Sequence, residues 1–288
     1  MVFAFLGSLT ATFLRFDPAT AKATPFVFYS ETAGAAAAFI VVLGLVIRPW
    51  PLESFKVRGA LLLAGAYAGM ILSWLARAGG GDVPKDATVQ GMILAVLSFQ
   101  GVALPLLWWF VRQHNLSLGE GFGLGRRPGH ALLLGAVAGL AFIPVGLALQ
   151  FGTRTVAEWF HIPLPPQDAV LVLNLANSWV DRIALALMTL VLAPLAEEGL
   201  FRGVFYPALR GFGYPQVALW GTSLVFAAIH GRVLIFLPLV VLAVVLAKLY
   251  EHTGNLLSCI AGHAAFNAFN FVMLLLAESF SRSLPSQP

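Results

Sequence analysis

Cysteine is all but missing from this sequence. The single copy, Cys259, excludes an intramolecular disulfide and every cysteine-rich metal site. It lies in an apolar stretch, where a small buried side chain is the plainest reading. Charge is scarce too: Asp, Glu, Lys and Arg make up 10% of the 288 residues, whereas a soluble domain carries about 25%. With 59% hydrophobic residues, the composition is that of a polytopic membrane protein. No basic run with interleaved aromatics is present to meet a nucleic acid, so no nucleic-acid partner is expected. The net charge of +4 suits loops that face anionic lipid. Phosphate loops are missing as well. Gly79-Gly80-Gly81-Asp82 follows no strand and leads to no Gly-Lys-Ser/Thr, and the glycines of 119–125 lack the βαβ setting of a dinucleotide fingerprint.

Long apolar runs are what the sequence has in plenty. Residues 2–14 are short for a span, and no positive charge precedes them as a signal peptide would require. Spans are expected over 26–47 (with Glu31 near one end), 59–76, 89–111, 131–151, 183–210, 215–230, 233–250 and 256–277. Trp108 and Trp109 would anchor the 89–111 run at the interface. The stretch 153–178, with His161 beside prolines, reads as re-entrant or surface-lying, and His161 as a loop histidine. The expected architecture is an all-α membrane bundle of roughly eight transmembrane helices, at about 20 residues each. Basic residues divide almost evenly between the two sets of loops, so the sequence leaves the orientation open.

One stretch breaks the apolar pattern. Glu197 and Glu198 sit side by side within the run 183–210. A charge at bilayer depth costs about 2.5–3.5 kcal/mol on insertion scales, and two adjacent carboxylates repel as well. Such residues mark function more often than packing, although a buried ion pair tying two helices together is the plainer alternative. Arg202 follows Glu198 by one helical turn, so these two can pair on one face. Glu197 points about 100° away and has no local partner. Pro194, just upstream, can kink the helix and free a backbone carbonyl. Three further polar residues lie in later runs: His230, then His263 and Asn267, the last two sharing one helix face.

Two chemistries fit these six residues. In one, Glu197 and His230 deprotonate a water that attacks a carbonyl, while His263 and Asn267 donate to the oxyanion. In the other, His230, His263 and one glutamate bind zinc, and the other glutamate is the base. The His-Glu-x-x-His helix of common zinc proteases is absent. The bland reading of the histidines is two core side chains bonded to backbone carbonyls.

Glu-Glu-x-x-x-Arg at 197–202, Phe-x-x-x-His at 226–230 and His-x-x-x-Asn at 263–267 resemble the three ordered motifs of the CAAX-prenyl-protease and bacteriocin-processing family, also called CPBP or Abi. Phe-Gly-Leu-Gly-Arg-Arg-Pro at 122–128 resembles its lead-in. The likeness divides the chain into added spans (1–119), a protease-like core (120–277) and a polar tail (278–288). It implies a multi-pass cell-membrane endopeptidase acting on a membrane-associated protein or peptide. Its catalytic set would be Glu197 and His230 for the water and His263 and Asn267 for the oxyanion, with Glu198 and Arg202 as a brace. The metal-free glutamic mechanism is the one expected, with no cofactor, and zinc is the alternative. Bacterial relatives are linked to bacteriocin maturation, self-immunity or trimming of surface-protein tails, so removal of a prenylated tail is not the expected reaction. Two rivals stand beside this reading. A non-catalytic immunity or binding protein of the same fold would not need Glu197 unpaired. A proton-coupled transporter would use buried acids and histidines too, but no inverted repeat is present.

Overall fold

The computed structural model describes residues 100, 103–105, 107–112, 114–161, 164, 173, 176, 178–230 and 232–283. The expected runs 2–14, 26–47 and 59–76, Glu31 and the 79–82 glycines lie outside the described residues, as does most of 89–111. Every described element is a helix. The first, α1 (Leu118–Gly121), is set by a capping box: the Ser117 hydroxyl accepts from Glu120 N, and the Glu120 carboxylate accepts from Ser117 N at 2.9 Å. The Ser117 hydroxyl also donates to that carboxylate at 2.7 Å, and this bond, followed by the one from Ser117 N, favours the charged form and lowers the pKa of Glu120. Gly123 then turns the chain at φ 66°, where a Cβ would lie 2.0 Å from the Gly254 carbonyl oxygen. Only glycine allows both the backbone angle and that approach.

Pro128 opens α2 (Pro128–Trp159), where its fixed φ suits the first turn and its missing N–H costs nothing. A second capping box, Ser178 with Asp181, opens α3 (Trp179–Gly211). The later helices are α4 (Val217–Ala228), α5 (Val233–Thr253) and α6 (Leu256–Ser283). Among the described residues four helices, α2, α3, α5 and α6, are long and apolar enough to cross a membrane. Leu133 and Phe151 on α2 stay 66% and 73% exposed, surface that suits lipid rather than water. Trp159 and Trp179, at the ends of α2 and α3, are 78% and 73% exposed, as interface anchors are.

Three boundaries differ from the sequence expectation. Residues 153–159 continue α2 instead of starting a surface piece, and His161 follows in a left-handed turn at φ 52°. The run 215–230 gives a short helix, α4, rather than a span, because the chain turns at Ile229 and His230. The polar tail begins helical: α6 runs to Ser283, and Glu278 bonds Arg182 of α3 at 2.8 Å.

Packing centres on α2 against α6, the most extensive helix pair. Cβ atoms at Gly135 and Gly139 would lie 2.1 Å from the carbonyl oxygens of Ser258 and Gly262 respectively. The two backbones touch, as in small-residue membrane interfaces. Phe201, Phe226, Leu242, Leu246 and Cys259 fill the core between α3, α4, α5 and α6. The Cys259 thiol donates to the Leu246 carbonyl at 3.1 Å, in keeping with a packing role. Ala103, Leu107 and Val111 belong to the same core, and Leu107 lies against Gly199 of α3.

Candidate active site

The acid-bearing helix is not a regular α-helix. Met188–Leu192 and Phe201–Phe205 form wide π-type turns, one on each side of Glu197 and Glu198. Such turns inside α-helices recur at functional sites, because they re-aim side chains without breaking the rod. Between them, Glu198 is fully buried and Arg202 is 1% exposed. Arg202 Nη1 donates to Glu198 Oε1 at 2.9 Å, the one-turn pairing that the spacing predicts. Its Nη2 donates to the Ala243 carbonyl of α5 at 2.8 Å. The guanidinium also lies over the Phe226 ring, 4.8 Å from the centroid, which stabilises a cation away from water.

His263 Nδ1 donates to the same Glu198 oxygen at 2.9 Å. An ionised carboxylate only accepts, so Nδ1 carries the hydrogen. Nε2 is then turned towards Glu197, 4.0 Å from Oε2. Among the described residues, that Glu197 oxygen is buried without a hydrogen-bond partner, and Glu198 Oε2 is in the same condition. Among the described residues Glu197 has no partner on its own helix, and its ion contact is with His263 of α6 at 4.0 Å.

His230, at the end of α4, donates from Nδ1 to the Phe226 carbonyl at 2.8 Å, which leaves Nε2 as an acceptor. The Phe226 ring lies 5.1 Å from the His230 ring and 5.6 Å from that of His263. It therefore stands between the two histidines. Among the described residues, His230 makes no hydrogen bond to Glu197. Asn267, one turn beyond His263, donates from Nδ2 to the Thr189 carbonyl of α3 at 3.0 Å.

The fold thus gathers Glu197, Glu198, Arg202 and His263 into one contiguous set. It brings His230 alongside through Phe226 and ties Asn267 to the first wide turn. The carbonyls of Ala243 and Thr189 are partners that the sequence analysis missed. Backbone acceptors carry no residue signature, and Pro194 is the one hint that a carbonyl nearby would be free. Among the described residues, no three of His, Cys, Asp or Glu are grouped as metal ligands.

Comparison with known proteins bears on the same segment. The family model described as type II CAAX prenyl endopeptidase Rce1-like matches residues 179–269, which include all six polar residues. An uncharacterized protein of Bacillus subtilis (strain 168), YpbD, is 35% identical over 130 residues. That alignment covers 44% of this chain and 63% of the relative. No solved structure matches the chain. Motif order, the buried acid pair and the family match agree on one segment: residues 179–269 are similar to the type II CAAX prenyl endopeptidase Rce1-like family.

Proposed function

We propose that this protein is an intramembrane endopeptidase that hydrolyses a peptide bond of a membrane-associated protein or peptide with a glutamate-activated water. The observation that carries the reading is Glu197. It is a half-buried side chain whose Oε2 is buried, has no hydrogen-bond partner among the described residues and lies 4.0 Å from the Nε2 of a histidine held by Glu198. One water can contact two atoms at that separation, with hydrogen bonds of about 2.8 Å to each.

In this mechanism Glu197 takes a proton from the water, with His230 Nε2 as the second acceptor around it. The hydroxide oxygen bonds to the scissile carbonyl carbon, and the negative charge moves to the carbonyl oxygen. Asn267 has two N–H groups, and the one not given to Thr189 is free to donate to that oxyanion. His263 Nε2, left as an acceptor by the Nδ1 bond to Glu198, takes a hydrogen bond from the same water and helps hold it before the attack. Collapse of the intermediate breaks the C–N bond, and the leaving nitrogen takes the proton held by Glu197. Arg202 and Glu198 stay bonded throughout and hold His263 in one orientation.

The test is purified protein in detergent with candidate membrane peptides, wild type beside Glu197→Gln and Asn267→Ala. Glu197→Gln keeps the shape and removes the base, so turnover is expected to vanish while the protein stays folded. Asn267→Ala is expected to lose about 10²–10³ in rate, the usual effect of one oxyanion donor. Full turnover by Glu197→Gln would reject the reading.

A further inference from the structure

The first wide turn of α3 ends immediately before a proline. In that turn the Ala193 N–H reaches back five residues to the Met188 carbonyl. The next carbonyl, that of Thr189, would need a donor at position 193 or 194. Position 193 is already used, and Pro194 has no N–H. The Thr189 carbonyl is therefore left without a partner inside its own helix, and a half-buried carbonyl needs one. Asn267 supplies it, from α6, at 3.0 Å.

The second wide turn has the same anatomy. The Tyr206 N–H bonds the Phe201 carbonyl, and Pro207 follows, so the Arg202 carbonyl loses its helical donor in the same way. Among the described residues, no side chain takes up that carbonyl. Among the described residues, the side-chain contact thus distinguishes the turn that faces Asn267 from the second one.

We infer that Pro194 is a positioning residue for Asn267: by withholding its N–H it exposes the Thr189 carbonyl, which fixes the Asn267 amide so that its second N–H faces the reacting group. This rests on the reading of Asn267 as an oxyanion donor. The anchor holds one of the two amide hydrogens and so leaves a single orientation in which the other is free. A restored N–H at position 194 would bond Thr189 internally and release the amide to rotate.

The experiment is a double-mutant cycle of Pro194→Ala with Asn267→Ala, read by peptide cleavage and by thermal unfolding in detergent. Pro194→Leu serves as a second variant that also restores the N–H. Both are expected to fold, since the new N–H satisfies the carbonyl that Asn267 abandons. Pro194→Ala is expected to lower kcat by about 10- to 100-fold with KM little changed. In the Asn267→Ala background the same change is expected to have less than about a 2-fold effect. Asn267→Ala is expected to lower Tm when Pro194 is present and to leave it unchanged in the Pro194→Ala background. Pro207→Ala, at the turn without a side-chain partner, is expected to show no coupling to Asn267. Additive effects on kcat, equal Tm losses in both backgrounds, or failure of both Pro194 variants to fold would each overturn the inference. If the wild type cleaves no peptide, the proposed function fails, and the thermal cycle still decides whether Pro194 and Asn267 are coupled.

Discussion

His263 donates from Nδ1 to Glu198 Oε1 at 2.9 Å, across 65 positions of sequence. The same oxygen accepts from Arg202 at 2.9 Å, so one atom ties α3 to α6 while Arg202 continues to α5 through Ala243. The contact decides which nitrogen of His263 is presented to Glu197. A buried ion pair is costly to break from one side, since the survivor is left charged and unpaired.

Arg202→Ala is accordingly expected to lower stability by about 3–5 kcal/mol, because it strands Glu198 at full burial. Thermal unfolding and folded yield in detergent measure this. The double variant Arg202→Met with Glu198→Gln, which removes both charges, is expected to recover part of the loss. Wild-type stability in Arg202→Ala would show that the pair contributes nothing.

Gly135→Ala and Gly139→Ala each put a methyl 2.1 Å from a carbonyl oxygen of α6. The helices must separate, and α6 carries His263 and Asn267. A stability loss of about 1–3 kcal/mol is expected from such overpacking, with a fall in activity beside it. Gly129→Ala meets nothing within 4 Å and is the control, expected within about 1 kcal/mol of wild type. Equal melting temperatures for Gly135→Ala and Gly129→Ala would mean that the close approach is not obligatory.

Chelation separates the two mechanisms weighed for the six residues. Under the glutamic mechanism, cleavage is expected to survive strong chelators, and the purified protein to hold far less than one zinc per chain. Metal content measured beside activity, before and after chelation, is the readout. One tightly held zinc whose removal and return track activity would establish the zinc mechanism in its place.

Much of the site was legible in the sequence because its cost is local. Two acids in an apolar run need a reason, and a one-turn spacing gave Arg202 to Glu198 and left Glu197 alone. Hydropathy located the four long helices among the described residues, although Trp159 and Ser283 end theirs later than the apolar runs suggest. The His263–Glu198 bond was not legible, since spacing governs contacts within a helix and says nothing of partners 65 positions apart. The wide turns were hidden for a related reason. Apolar periodicity reports which face is buried, and one extra residue in a turn barely disturbs it. Only the prolines at 194 and 207 mark where those turns end. Ala103, Leu107 and Val111 carry no polar signal, yet they wall the acid-bearing helix at Gly199.

The junction at Gly254 has a consequence for assembly order. Asn255 Nδ2 donates to the carbonyls of Leu124 at 3.5 Å and Arg126 at 2.7 Å, and Leu256 N donates to Phe122 O at 3.0 Å. The 124–255 clasp spans 131 positions of chain. Chains leave the ribosome amino terminus first, so α1 and the Gly123 turn must wait, open, while α2 to α5 enter the bilayer. The clasp closes only when α6 follows, and α6 brings His263 and Asn267. Growing chains therefore hold the acid pair without the His263 partner of Glu198 until the last helix arrives, so the contacts between α3 and α6 form in one late step of synthesis.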